Sequence, residues 1–305
     1  MSDRPAHVRI DVGFPVDLAG TLGPLRRGTR DPAHRFDAAG RFWRACHTPA
    51  GPATLAVRAD ASVVSAHAWG AGAEWALAGV PGLIGATDDW SGLDLSAAPV
   101  LQDTRRRRPG LRLAATGLIL DALVPAVIEQ KVTFEEAQRA WRLLLHRSGA
   151  PAPGPDGALR LPLRAAQLLD LPTWEWHRAG VDGSRQRAIR AAASVADRLE
   201  QSVGLPPDDA ARRLRLVPGI GQWTAAKTLQ RAMGAPDAVS VGDYNLPSMV
   251  TYVLAGRPRG TDGEMLALLA PWAGQRQRVM RLIEMCGVRV PRRGPRFAYT
   301  DIRTI

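Results

Sequence analysis

The chain has 305 residues, 46% of them hydrophobic, two cysteines, and 40 basic against 29 acidic side chains for a formal charge of +11. An ordinary apolar fraction at this length supports two or three domains with a sizeable core, and it excludes a wholly disordered chain, a collagen-like repeat and a coiled-coil fibre. Cys46 and Cys286 are too few for a disulfide scaffold, a four-thiolate zinc site or an iron–sulfur cluster, so a reducing compartment is expected.

From Ala6 to about Gly70 the pattern is short and strand-like. His7–Val12, Thr54–Arg58 and Ser62–Trp69 alternate as strands do, with turn residues at 48–52 and 59–61 between them. Weak helical stretches around Leu18–Arg27 and Ala73–Ala78 complete a small α/β unit with an antiparallel sheet. The run Arg105-Arg106-Arg107-Arg108-Pro109-Gly110 reads as charged punctuation, and a domain boundary is placed at 104/105.

Beyond it, apolar residues recur at three- and four-residue spacing. Helices are predicted over Leu118–Ile128, Glu135–His146, Leu163–Leu169, Arg185–Leu199, Asp208–Leu216, Gln222–Met233, Leu246–Leu254, Gly263–Leu269 and Gln275–Met285. The fold class is therefore α+β: an N-terminal α/β domain over 1–104, an all-α core over 105–290, and an Arg/Pro-rich tail over 291–305. No run of about 18 apolar residues occurs, and Met1-Ser2-Asp3-Arg4-Pro5 lacks an apolar signal core. A soluble, cytoplasmic, nucleoid-associated protein with no membrane partner is expected. The charge points to a polyanion, since binding phosphate releases counterions. Only Lys131 and Lys227 are lysines, which leaves amine chemistry few places to happen.

The most specific stretch is Leu216-Val217-Pro218-Gly219-Ile220-Gly221-Gln222-Trp223-Thr224-Ala225-Ala226, a Pro-Gly-Ile-Gly turn joining two helical patterns. Glycines let such a turn approach a surface closely, and the second helix begins with unpaired N–H groups that suit a phosphate. Further on, Val241-Gly242-Asp243-Tyr244-Asn245-Leu246-Pro247 sets a carboxylate just ahead of a helix. Asp243 reads equally as a plain N-cap and as an ionised group able to stabilise a developing cation.

Together with Gly234-Ala235-Pro236-Asp237, these stretches resemble the helix-hairpin-helix/Gly-Pro-Asp superfamily of DNA glycosylases, in particular its DNA-3-methyladenine glycosylase II type. Arg108–Leu113, Ile128-Glu129-Gln130-Lys131-Val132, Gly180–Arg185 and Pro271-Trp272 agree with it. The resemblance implies a helical glycosylase core of two subdomains with the site in the cleft between them. It assigns Asp243 as the catalytic aspartate, and Trp223, Trp272 and Tyr244 as base-pocket residues. Gly219, Gly221, Gln222, Thr224, Gln130 and Lys131 become DNA contacts. It also implies a monovalent cation, sodium or potassium, on the carbonyls of 217–221, with no required cofactor and no other metal. Lys131 departs from the apolar wedge that the resemblance predicts there. Strand-cutting members carry a Schiff-base lysine two residues after the second hairpin glycine, where this chain has Trp223.

The function implied is a monofunctional glycosylase acting as a monomer on double-stranded DNA with damaged bases. It would extrude an alkylated, cationic purine, hold it by cation–π attraction, and hydrolyse its N-glycosidic bond. The alternative is a non-catalytic helix-hairpin-helix module that binds damaged DNA. An RNA-binding protein and a metal-dependent nuclease fit less well, because no RNP-like or GxxG pattern occurs and the six histidines are scattered.

Overall fold

The computed structural model describes residues 5–291. Residues 292–305, nearly all of the expected Arg/Pro-rich tail, lie outside that range. Five strands, β1 (Ala6–Asp11), β2 (His34–Phe36), β3 (Phe42–Thr48), β4 (Gly51–Asp60) and β5 (Val63–Trp69), form one antiparallel sheet in the order β1-β5-β4-β3-β2. A two-residue loop, Ala61-Ser62, joins β4 to β5, with Ala61 left-handed at φ 50°. The sheet and fifteen α-helices among the described residues bear out the α+β class with a helical core.

Two strands escape the periodicity reading. β3 is buried along nearly its whole length and carries Arg44 and His47, so it shows no apolar–polar alternation. β2 is only three residues long. The helix Thr173–Ala179 was likewise not anticipated, although its Trp176 is fully buried.

Apolar packing divides the described residues into three main clusters. Leu22, Phe42, Leu55, Val57, Leu77 and Leu83 lie between the sheet and the first helices. Ile119, Leu123, Trp141, Trp176, Ile189 and Leu229 belong to a middle helical cluster that ends at Ala235. The third begins again at Val239 and includes Val250, Met265, Trp272 and Val279, but it also takes in Trp90, Leu95, Leu101 and Leu111. The chain therefore leaves the sheet, contributes to the third cluster, builds the middle one, and returns.

The expected junction at 104/105 lies on this route. A helix, Pro99–Arg107, runs straight through it and buries Leu101 and Thr104. Arg105, Arg106 and Arg107 occupy its last turn, where positive charge is favoured by the helix dipole. The arginine run ends a helix instead of linking two domains. Gly110 follows at a point where a Cβ would lie 2.2 Å from the Pro15 carbonyl oxygen, so only glycine fits against the N-terminal segment.

Arginines hold the sheet domain against the helices. The buried Arg44 of β3 meets the Asp121 carboxylate at 2.8 Å, and Arg27 lies 3.1 Å from Glu129. Trp141 Nε1 donates to Asp31 at 2.9 Å, and Arg281 donates to the Gly20 carbonyl at 2.7 Å.

Candidate active site

The hairpin joins the helices Pro207–Leu214 and Gln222–Ala232. Its two glycines do different things. Gly219 has φ 86°, and a Cβ there would stand 2.6 Å from the Ala188 side chain. Gly221 has an ordinary φ of −90° and open space where a side chain would go. As the residue capping Gln222–Ala232 it supplies no side-chain acceptor, so the first amides of that helix face outward without one.

Gln130 braces this turn from the middle cluster. Its Nε2 donates to the Gly219 carbonyl at 3.0 Å and to Thr224 Oγ1 at 2.8 Å. Both residues were expected to touch DNA, yet Thr224 is buried and Gln130 spends its amide on the hairpin itself. Gln222 and Lys131 are exposed, as DNA contacts would be. Lys131 is held left-handed at φ 55°, which turns it outward at the end of the segment behind Gln130. The Gly180–Arg185 stretch is structural. Asp182 caps the helix Gly183–Ala193, and the buried Arg185 donates to Asp182 (2.7 Å), to the Ile128 carbonyl (2.8 Å) and to the Gly180 carbonyl (3.0 Å).

Asp243 lies just past the crossing from the middle cluster to the third, and so at the seam between the two helical subdomains. Gly242, at φ 88°, donates its N–H to both oxygens of Asp262 at 3.1 Å, which pins the loop. The carboxylate serves two directions. Oδ1 accepts from the amides of Asn245 (3.0 Å) and Leu246 (3.1 Å) just ahead of the helix Leu246–Ala255, whose N-cap residue is Asn245. Oδ2 accepts from Trp223 Nε1 at 3.0 Å and lies 3.4 Å from Lys227 Nζ. Burial by itself would raise the Asp243 carboxyl. The Lys227 charge, the Trp223 N–H and the two amides outweigh it and hold the group below its usual 3.8.

Trp223 is half-buried and lies beside Asp243, to which its Nε1 donates. The other two pocket assignments are not drawn in. Trp272 is a core residue of the third cluster, with Nε1 donating to the Asp94 carbonyl. Tyr244 turns outward and is 77% exposed. The sequence reading missed Lys227. It follows Trp223 by four residues on one helix and so shares its face, and its ammonium lies 5.4 Å from the Trp223 ring centroid. That spacing was a usable signal.

No group of three or more His, Cys, Asp or Glu side chains suited to a metal occurs among the described residues. A cation on the hairpin would take backbone carbonyls instead. Of these, Val217 O accepts from the Ile220 amide at 3.0 Å and Gly219 O from Gln130, and each retains a second lone pair. No described helix is long and apolar enough to cross a membrane.

No protein-family model matches the chain. A curated relative from Mycobacterium tuberculosis, a probable bifunctional transcriptional activator/DNA repair enzyme AlkA, is 32% identical over 155 residues. That match takes in 50% of this chain and 31% of the relative, so the chain spans under a third of that protein's length. Among solved structures, the 3-methyladenine DNA glycosylase of Archaeoglobus fulgidus superposes with a TM-score of 0.78 at 15% identity, covering 92% of this chain and 98% of that one. The 8-oxoguanine glycosylase/lyase of Clostridium acetobutylicum, solved with double-stranded DNA, gives 0.69 at 12% identity over 93% and 96% of the two chains. The chain thus has the fold of the helix-hairpin-helix DNA glycosylases, and in sequence it is similar to their AlkA type.

Proposed function

We propose that this protein is a monomeric DNA glycosylase that extrudes an alkylated base from duplex DNA and hydrolyses its N-glycosidic bond without cutting the strand. The observation that carries this reading is the Asp243 carboxylate, held ionised at the seam between two helical subdomains beside an indole. As the bond from C1′ to the base breaks, its electron pair leaves with the base and positive charge builds on the sugar. A fixed carboxylate opposes that charge. Water then adds its oxygen to C1′ and gives up a proton, with the ionised Asp243 as its acceptor in this reading.

The hairpin supports DNA as the partner, because unpaired amides at a helix start and an open Gly221 suit a backbone phosphate. The net charge of +11 supports it as well. The names of the similar proteins agree, and one of them is solved with DNA. Base removal without lyase chemistry is supported by position 223, which is tryptophan, and by Lys227 being engaged with Asp243. A monovalent cation on the 217–221 carbonyls would tighten phosphate binding, and potassium-dependent DNA affinity tests for it.

Asp243→Asn is the decisive variant, since an asparagine side-chain oxygen still accepts from the Asn245 and Leu246 amides while the charge is removed. Base release from alkylated duplex should fall by about 100-fold or more with DNA affinity kept. Strand breaks should appear only after hot alkali, and borohydride should trap no covalent adduct. DNA binding without base release from any damaged duplex makes the protein a damage-binding module and leaves Asp243 as a structural tie at a helix start.

A further inference from the structure

Lys227 changes what can be held beside Asp243. A pocket built for a cationic base presents an uncovered aromatic face and an unneutralised carboxylate. Here the protein's own ammonium lies 5.4 Å from the Trp223 ring centroid and 3.4 Å from Asp243 Oδ2. Both side chains are largely buried, at 21% and 18% exposure, so water screens the pair poorly.

The surrounding charges balance. Glu129 is paired with Arg27 at 3.1 Å, and it feels the charges of Arg231, Lys227 and Asp243. Arg231 follows Lys227 by one turn of the same helix and donates to its carbonyl at 2.9 Å. Asp262, whose carboxylate accepts from the Gly242 amide next to Asp243, brings the set to three acids against three bases, so the discrimination lies with Lys227 itself. With its ammonium over the Trp223 face and against the Asp243 carboxylate, Lys227 leaves a cationic base neither an open aromatic face nor an unpaired carboxylate. It favours a neutral base with an acceptor atom for the ammonium, and it stabilises the negative charge that builds on a neutral base as it departs.

Resting on the glycosylase reading above, we propose that Lys227 is a specificity-determining residue that selects neutral, acceptor-bearing purine lesions over N-alkylated cationic purines. Etheno adducts and deaminated purines are of the selected class. Lys227 acts by donating a hydrogen bond to the flipped base while balancing the Asp243 carboxylate.

The test is single-turnover base release by the full chain from three duplexes carrying 1,N6-ethenoadenine, hypoxanthine or 7-methylguanine. The proteins are wild type, Lys227→Met, Lys227→Gln, Lys227→Arg and Asp243→Asn, each checked for folding by thermal melting. Wild type and Lys227→Arg should prefer the neutral lesions by about tenfold or more, and Lys227→Met or Lys227→Gln should lose that preference through slower release of neutral and faster release of cationic bases. Glutamine is the fallback where methionine leaves Asp243 too poorly paired to fold. A wild-type preference for 7-methylguanine, or an equal loss on all three duplexes in the Lys227 variants, overturns the selection while leaving the glycosylase standing. No release from any duplex overturns both readings.

Discussion

Asp243 and the two hairpin glycines show how far single residues divide their labour. One oxygen of Asp243 accepts from the Asn245 and Leu246 amides at the start of a helix, and the other faces Trp223 and Lys227, so a single carboxylate ties the loop to both segments. Gly219 is the glycine the backbone requires. Gly219→Ala should destabilise the protein by at least about 1–2 kcal/mol, from the left-handed conformation before any clash with Ala188, as read from denaturant midpoints. Gly221→Ala should change stability by less than about 0.5 kcal/mol and instead weaken DNA binding, because its added methyl points into open space. Equal stability losses in the two variants would mean that Gly221 is there for the fold. Cys46 is inert for a similar local reason: burial pushes its thiol up to about 11, past the opposing pull of Arg44.

At the scale of elements, the helices are set by caps that reach beyond their own sequence. Ile119–Ile128 has no side-chain cap of its own, and its first amides donate to the two oxygens of Glu200, each at 2.8 Å, from a helix some eighty residues later. Burial keeps that carboxyl above its usual 4.5. Asp182 is a local cap. Burial opposes its ionisation, but Ser184, the Arg185 amide and the Arg185 guanidinium bring it down to about 2. Because the folded value lies below the usual 3.8, its contribution is present above that pH and is lost as pH falls through about 2. Asp182→Ala should cost about 1 kcal/mol or more at neutral pH and much less near pH 2, measured by urea unfolding at both. A pH-independent difference would deny the carboxylate its role. The sequence patterns located most of these helices because a one-sided apolar stripe is local information. Glu200 could not be located that way, since a cap from a distant helix leaves no spacing signal.

At the scale of the whole molecule, three apolar clusters are held together by buried arginine pairs at their junctions. Arg44→Met should destabilise by roughly 3–5 kcal/mol, because it strands Asp121 at the boundary between sheet and helices. The double variant with Asp121→Leu should recover most of that loss, and failure to recover would show that the pair contributes more than charge balance. Periodicity and the hairpin motif determined much by themselves: the α+β class, most helices, the Pro-Gly-Ile-Gly turn and Asp243 as the carboxylate to examine. These are properties of a few adjacent residues, and local spacing encodes them. Only the tertiary structure decided that residues 90–111 pack with the C-terminal helices, that Trp272 is core, and that Gln130 and Thr224 brace the hairpin. It also brought Lys227 to Asp243 across sixteen residues and a subdomain seam. Those are contacts between segments that meet only when the chain crosses from one cluster to the next, and no spacing within either segment records them.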